Sequence, residues 1–188
     1  GESSHSPVFA HAIRYGRSLG LAMAAGSNAI SINREMAEQI IPSMTYLRVN
    51  ISGGEKKRYA EIMGVKEHIF DRVCQNILDI VAVKAETKSA CTIGMQMVFQ
   101  PQYEDQVIPL AKLAVDLGVD YLILKHCSDS ELGEIGVDYE GYEDTYPTLR
   151  AAEALSTEQT ASKAKWSKIN DKGTRNYSRC YGPPFIIQ

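Results

Sequence analysis

The stretch from residue 47 to residue 64, LRVNISGGEKKRYAEIMG, decides how the chain is interpreted. It opens like a buried strand, breaks at Gly53 and Gly54, and continues as a charged, amphipathic segment. The strand ends in Asn50 and Ser52, where a purely structural strand would need no polar side chain. The residues on either side of this stretch show what these polar positions are for.

Helical and strand patterns alternate on both sides, from residue 7 to residue 127. Strand patterns cover residues 21–25, 45–51, 90–99 and 120–127, and helical patterns cover residues 8–19, 34–41, 67–83 and 105–117. Asn33 is a predicted N-cap, and Gly20 and Gly118 each mark a short turn before a strand. Such alternation is typical of an α/β protein whose parallel strands are joined by helical crossovers.

The pattern weakens after residue 127. Residues 128–147 are acidic and contain glycine, which predicts a long loop near the mouth of the fold. Residues 148–169 have a helical composition with a break at Ser156-Thr157, and residues 177–188 could hold a final strand.

Composition excludes several classes of protein. The 188 residues carry a net charge of −3, which gives no reason to expect nucleic acid or an anionic membrane as partner. No apolar run reaches the roughly 20 residues that span a bilayer, and no signal-peptide pattern is present. The four cysteines are far apart, which disfavours a disulfide framework. These features predict a soluble cytoplasmic protein.

Polar residues recur where the predicted strands end. In parallel α/β folds, ligands bind at the carboxyl ends of the strands, because the strand-to-helix loops converge there. The candidates are Ser27 and Asn28, Asn50 and Ser52, residues 96–100, and residues 125–128.

These strand ends, in this order, resemble the core of a radical S-adenosylmethionine (SAM) enzyme. Gly1-Glu2 resembles the second half of the family's glycine-glycine-glutamate motif, and GSNA at 26–29 stands in place of its TNG-like turn. RVNISG at 48–53 resembles a strand end of the form R-x-S-L-D-G, in which Asn50 replaces the commoner serine and Ser52 the commoner aspartate. In the turn at 26–29, Ala29 replaces the commoner glycine. The resemblance covers roughly two-thirds of the chain.

The resemblance implies a partial parallel (β/α) barrel that lacks its first strands. Residues 1–170 would be the radical SAM core, and residues 171–188 the start of a C-terminal extension. The family's C-x-x-x-C-x-x-C loop, which holds a [4Fe–4S] cluster, is absent from this sequence, so its ligands are expected upstream. We therefore expect a fragment of a longer protein that is inactive alone.

The resemblance also implies which residues bind the cofactors. The expected SAM contacts are Gly1, Glu2, Ser27, Asn28, Asn50, Ser52 and Gln96, with Gly53-Gly54 turning the backbone beside the ligand. Cys180, in a glycine- and proline-rich turn, is a candidate ligand of an auxiliary cluster.

Simpler interpretations stand beside these assignments. Asn50 and Ser52 would equally cap the following turn, and Gln96 would equally be a core amide with its hydrogen bonds satisfied. Cys180 would equally be a buried or free thiol.

Three functions follow as hypotheses. The first is a radical SAM catalytic domain, in which a cluster and SAM generate a 5′-deoxyadenosyl radical that abstracts hydrogen from a small-molecule or peptide substrate. Lys125 is a candidate substrate contact, and a flavodoxin or ferredoxin would supply the electron. The second is a cluster-free barrel lyase or aldolase with Lys125 as Schiff-base nucleophile. The third is a non-catalytic binding remnant.

Overall fold

The computed structural model describes residues 1–129, 136–137 and 139–170. Helices and strands alternate along these residues. The helices are α1 (Phe9–Ser18), α2 (Arg34–Ile40), α3 (Lys56–Met63), α4 (His68–Glu86), α5 (Val107–Asp116), α6 (Tyr146–Glu153) and α7 (Trp166–Asn170). The strands are β1 (Ala24–Ser27), β2 (Tyr46–Asn50), β3 (Thr92–Phe99), β4 (Tyr121–His126) and β5 (Ala161–Ala164). The predicted α/β class is confirmed.

The five strands form one sheet in which every neighbouring pair is parallel and the spatial order is the chain order, β1-β2-β3-β4-β5. A doubly wound sheet reverses direction part-way and so places its strands out of sequence order. An unbroken order, in which each strand pairs with the next, belongs to the (β/α) barrel. The sheet therefore has barrel topology.

The two faces of the sheet differ in what covers them. One face carries the fully buried residues Leu47, Val49, Ile93, Met95, Leu122 and Leu124, which join the hydrophobic core under the helices. We call this the packed face. The alternate positions form the open face, whose residues are Ala24, Gly26, Tyr46, Arg48, Asn50, Thr92, Gly94, Gln96, Val98, Tyr121, Ile123, Lys125, Ala161 and Lys163. All of these except Gly94 and Gln96 keep part of their surface in contact with solvent.

Local signals in the sequence set several boundaries. The side chain of Asn33 accepts a hydrogen bond from the Met36 N–H at 3.0 Å, so it caps α2 as predicted. Gly20 and Gly118 adopt left-handed backbone, with φ of 82° and 68°, in the turns that precede β1 and β4. Both glycines therefore let the chain change direction after a helix, a few residues before the next strand begins.

Two sequence predictions were wrong in this part of the chain. The first strand spans Ala24–Ser27 rather than residues 21–25, because its pairing with β2 begins at Ala24, opposite Tyr46. Residues 148–169 are not one helical region: α6 ends at Glu153, and β5 pairs with β4 from Ala161 onward. A four-residue strand with the sequence ASKA has no apolar pattern of its own, so only its pairing with β4 defines it.

The acidic segment after β4 is also more ordered than predicted in its described part. A 3-10 helix spans Glu140–Thr145 and leads directly into α6. Tyr142 anchors it, because its hydroxyl donates to the Phe99 carbonyl at 2.6 Å and accepts from the Cys127 N–H at 3.1 Å. The segment is thereby attached to the carboxyl ends of β3 and β4.

Within the described ranges, no helix combines the length and apolar character that crossing a bilayer requires.

Candidate functional site

Glu2 joins the start of the chain to the carboxyl end of β1. Its Oε1 accepts hydrogen bonds from the Ser27 hydroxyl at 2.9 Å and from the hydroxyl and N–H of Ser4 at 2.7 and 3.1 Å. Its Oε2 accepts the Asn28 N–H at 2.8 Å. Burial raises the pKa of Glu2, but these hydrogen bonds together outweigh it, so the pKa lies below its ordinary value and the carboxylate is ionised.

The turn after β1 joins Ser27 and Asn28 in one hydrogen-bonded unit, to which Glu2 is also attached. Ser27 Oγ accepts the Ala29 N–H at 3.0 Å, and Asn28 Oδ1 accepts the Ile30 N–H at 3.0 Å. Ala29 is fully buried with a φ of 59°, a left-handed conformation in which glycine is the usual residue. Ala29, which stands where the resemblance places a turn glycine, therefore has the backbone conformation that glycine usually adopts.

Asn50 and Gln96 lie side by side at the end of β2 and in β3. They are partners in the parallel register, and Gln96 Nε2 donates to Asn50 Oδ1 at 3.3 Å. Among the described residues, the Asn50 Nδ2 and the Gln96 side-chain oxygen take part in no hydrogen bond, and Asn50 Nδ2 faces the open side of the sheet near Gly26. Ser52, two residues beyond β2, is 9% exposed.

Gly53 and Gly54 approach other parts of the protein closely, which is a structural reason for glycine at both positions; their expected role beside a ligand stays a prediction. A Cβ on Gly53 would lie 2.8 Å from the Tyr59 Cα, and a Cβ on Gly54 would lie 2.2 Å from the Leu110 backbone nitrogen. Gln106, which sequence reasoning missed, accepts the Gly54 and Glu55 N–H groups at 3.1 and 3.2 Å. Gly53 therefore lets the loop after β2 lie against Tyr59 of α3, and Gly54 lets the same loop lie against α5.

A cavity of about 660 Å³ opens on the open face between β2 and β5. Its floor includes Tyr46 and Tyr121, whose rings are nearly parallel and whose hydroxyls lie 2.6 Å apart, with Tyr121 as donor. The Tyr121 ring lies directly over Gly94, where a Cβ would come within 2.0 Å of the ring. Burial and the bond to Tyr46 raise the pKa of Tyr121, so it remains a neutral phenol.

The far wall of the cavity is fixed by Trp166, at the start of α7. Its indole N–H donates to Glu153 Oε1 at 3.0 Å, and the Arg150 guanidinium lies 5.4 Å from its ring centroid. Glu153 also accepts the Ala164 N–H at 2.9 Å, which ties β5 to α6. The wall is therefore held by the short strand that the sequence did not reveal.

The remaining predicted site residues lie apart from this group. Lys125 is on the open face near the end of β4, whereas His126 is buried on the packed face, as their alternation predicted. Gly1 is exposed beside Glu2. Cys180 and the predicted extension from residue 171 lie outside the described residues, so their roles stay predictions.

The described residues do not form a site for an iron–sulfur cluster. Across this part of the chain, no three His, Cys, Asp or Glu side chains come together in a way that could hold a metal ion. Burial raises the pKa of Cys74 and of Cys91 to about 11, so both are protonated thiols at neutral pH.

Comparison with known proteins gives matches in structure alone. No protein-family model matches the sequence, and no curated protein matches it either. The crystal structure of SuiB from Streptococcus suis bound to S-adenosylmethionine matches with a TM-score of 0.65 and 14% identity, covering 88% of this chain and 38% of SuiB.

Two further structures match over a similar part of the chain. A structure of TYW1 with a lysine-pyruvate adduct bound has a TM-score of 0.61 and 16% identity, covering 83% of this chain and 48% of that one. A domain of pyruvate-formate lyase-activating enzyme from Bacteroides vulgatus ATCC 8482 has a TM-score of 0.58 and 10% identity, covering 86% and 94%.

The chain has the radical SAM fold. The predicted resemblance is thus confirmed for the fold, and this chain spans less than half the length of the SuiB and TYW1 chains. At these identities the matches establish the fold alone.

Sequence reasoning missed much of the cavity of this radical SAM fold. Tyr46, Tyr121 and Lys163 were not singled out, and Arg48 entered only as part of a motif. Tyr46, Arg48 and Asn50 are spaced two residues apart, and that spacing places them on the same face of β2. Taking every second residue back from Asn50 along β2 would have identified Arg48 and Tyr46.

Proposed function

We propose that this chain is the SAM-binding core of a radical SAM enzyme, with SAM held at the carboxyl ends of β1, β2 and β3. One observation carries the proposal. Glu2, Asn28, Asn50 and Gln96, which the sequence resemblance selected, surround one edge of a sheet whose fold matches SAM-bound SuiB.

The donors and acceptors at this edge fit SAM. Its ammonium needs an acceptor, and Glu2 is an ionised carboxylate whose Oε2 accepts a single described hydrogen bond, from Asn28. Its ribose hydroxyls and adenine edge need both donors and acceptors, which the amides of Asn50 and Gln96 provide. Unpaired polar groups in such a site would cost about 1–3 kcal/mol each, so these positions favour a polar ligand.

The chemistry of the class is supplied jointly by SAM and a [4Fe–4S] cluster, which together yield a radical that removes hydrogen from a substrate. The described residues do not fit the cluster, so its ligands would come from outside them. What this chain contributes is orientation. Glu2 and the amide pair hold SAM at the edge of the sheet, and the walls of the cavity exclude water from a substrate beside it.

The test is anaerobic reconstitution of the full-length protein with iron and sulfide, followed by addition of SAM and dithionite. We expect 5′-deoxyadenosine to form, and we expect Asn50→Ala to weaken SAM binding by about tenfold through the loss of a hydrogen-bonding group. Gln75→Ala removes an exposed amide from the outside of α4 and should leave SAM binding unchanged.

The outcomes separate the three hypotheses. SAM binding without cleavage by the reconstituted protein would favour a binding remnant. Absence of SAM binding would overturn the proposal, and borohydride trapping of a carbonyl compound on Lys125 would then favour the aldolase. A ferredoxin or flavodoxin that replaces dithionite would identify the electron donor.

A further inference from the structure

The open face has a charge of a single sign. The charged residues at its strand positions are Arg48, Lys125 and Lys163, and no Asp or Glu occupies an open-face position of the described strands. None of these three cations belongs to the ion pairs formed among the described residues. The face therefore attracts negative charge.

Arg48 is the most enclosed of these cations. Its Nε is buried and has no hydrogen-bond partner in the described part of the chain. Its neighbours in register are Gly26 and Gly94, which have no side chains that could pair with it. A buried donor on a charged group is costly to leave unpaired, so this guanidinium is arranged for an acceptor that comes from outside the chain.

A second donor converges on the same place. A Cβ on Gly26 would lie 3.7 Å from Arg48 Nη2 and 3.9 Å from Asn50 Nδ2, so both nitrogens face the space above that glycine. Tyr46 lies two residues before Arg48 on the same face, and its hydroxyl, which shares a hydrogen bond with Tyr121, borders the same cavity. Donors from Arg48 and Asn50 therefore converge at this end of the cavity.

We propose that the cavity binds the anionic end of the substrate, a carboxylate or a phosphate, with Arg48 as its direct counter-charge. The inference rests on the proposed function, because it places a substrate beside SAM on the same sheet. The planar guanidinium with its fixed donors matches the paired oxygens of either group. Lys163, exposed on β5 at the cavity wall, adds a weaker attraction across it.

The test uses the full-length protein and two probes, inorganic phosphate and succinate, titrated by calorimetry at low ionic strength. We expect at least one probe to bind the wild-type protein with a dissociation constant below about 10 mM. The probe that binds more tightly identifies phosphate or carboxylate chemistry. Arg48→Gln should weaken that binding by at least about tenfold, since it removes a charge-assisted hydrogen bond. Lys112→Gln, which removes an exposed charge from α5, should not.

Two results would overturn the inference. The first is that neither probe binds with a dissociation constant below about 10 mM. The second is that Arg48→Gln and Lys112→Gln weaken binding equally, which would indicate general surface attraction. Lys163→Gln gives a second measurement if Arg48→Gln does not fold, with an expected loss of about two- to fivefold.

SAM binding provides the remaining distinction. We expect the affinity of Arg48→Gln for SAM to stay within about twofold of that of the wild type. If the variant lost affinity for SAM but not for the anion probes, Arg48 would belong to the cofactor site and the inference would be overturned. Failure of the proposed function looks different, because the protein would then not bind SAM at all, whatever the probes do.

Discussion

The packed and open faces of the same sheet follow opposite rules. Along β2, Leu47 and Val49 are fully buried against the helices, while Tyr46, Arg48 and Asn50 keep access to the other side. The packed face stabilises the fold by removing apolar surface from water. The open face holds three cations and the two amides of Asn50 and Gln96, which contribute little to stability and are placed for a ligand. Substitutions on the two faces should therefore affect different measurements.

The largest expected effect is at Gly54, where the chain meets α5. Gly54→Ala would place a Cβ 2.2 Å from the Leu110 nitrogen and 2.3 Å from the Pro109 carbonyl carbon, which are backbone atoms that cannot move aside. We expect a loss of about 3 kcal/mol or more in the free energy of unfolding, measured by urea denaturation. A stable Gly54→Ala protein would show that the loop before α3 does not approach α5 as described.

A matched pair of valines compares the two faces directly. Val49→Ala removes a side chain with 0% exposure from the packed face, and we expect a loss of about 2–3 kcal/mol from lost burial and the cavity left behind. Val98→Ala is the same change on the open face, where the side chain is 40% exposed, and should cost at most about 1 kcal/mol. Equal losses would contradict the assignment of the faces.

Glu2 provides a pH-dependent prediction. Its folded-state pKa is lowered, so its contribution to stability is present above the ordinary value of 4.5 and disappears as pH falls through the folded value. We expect Glu2→Gln to lose about 1 kcal/mol at pH 7, allowing for solvent screening, and to approach wild type in acid. Urea denaturation across this pH range checks it, with the exposed Glu158→Gln as control. A pH-independent difference would mean that the charge is unimportant.

The smallest effect on stability is expected at Gly26. Gly26→Ala brings a Cβ no closer than 3.7 Å to any atom, so unfolding should change by less than about 0.5 kcal/mol. That methyl group would occupy the space between Arg48 and Asn50, so ligand binding should weaken while the fold is kept. Unchanged binding of SAM and of both anion probes would show that no ligand approaches this part of the sheet.

The sequence predicted some features because they depend on neighbouring residues. Asn33 caps α2 through a bond three residues away, and Gly118 ends α5 through its own backbone conformation. β5 could not be predicted, because ASKA carries no apolar alternation and becomes a strand only by pairing with β4. The packing role of Gly54 could not be predicted for the same reason: the atoms that exclude a Cβ there belong to α5, more than 50 residues further along.

The candidate site divides in the same way. The polar strand ends were found from sequence, since parallel strands bring their carboxyl ends to one edge wherever they occur. The sequence shows an arginine at position 48, but its importance depends on Gly26 and Gly94, which lie beside it in the sheet.

By itself, then, the sequence determined the α/β alternation, the strands near β2, and the edge at which polar residues gather, because hydrophobic period and turn residues act over a few positions. Tertiary structure alone decided the sheet order, the fifth strand and the charged cavity. Those features arise from pairing between distant segments, where register rather than local preference selects which side chains meet.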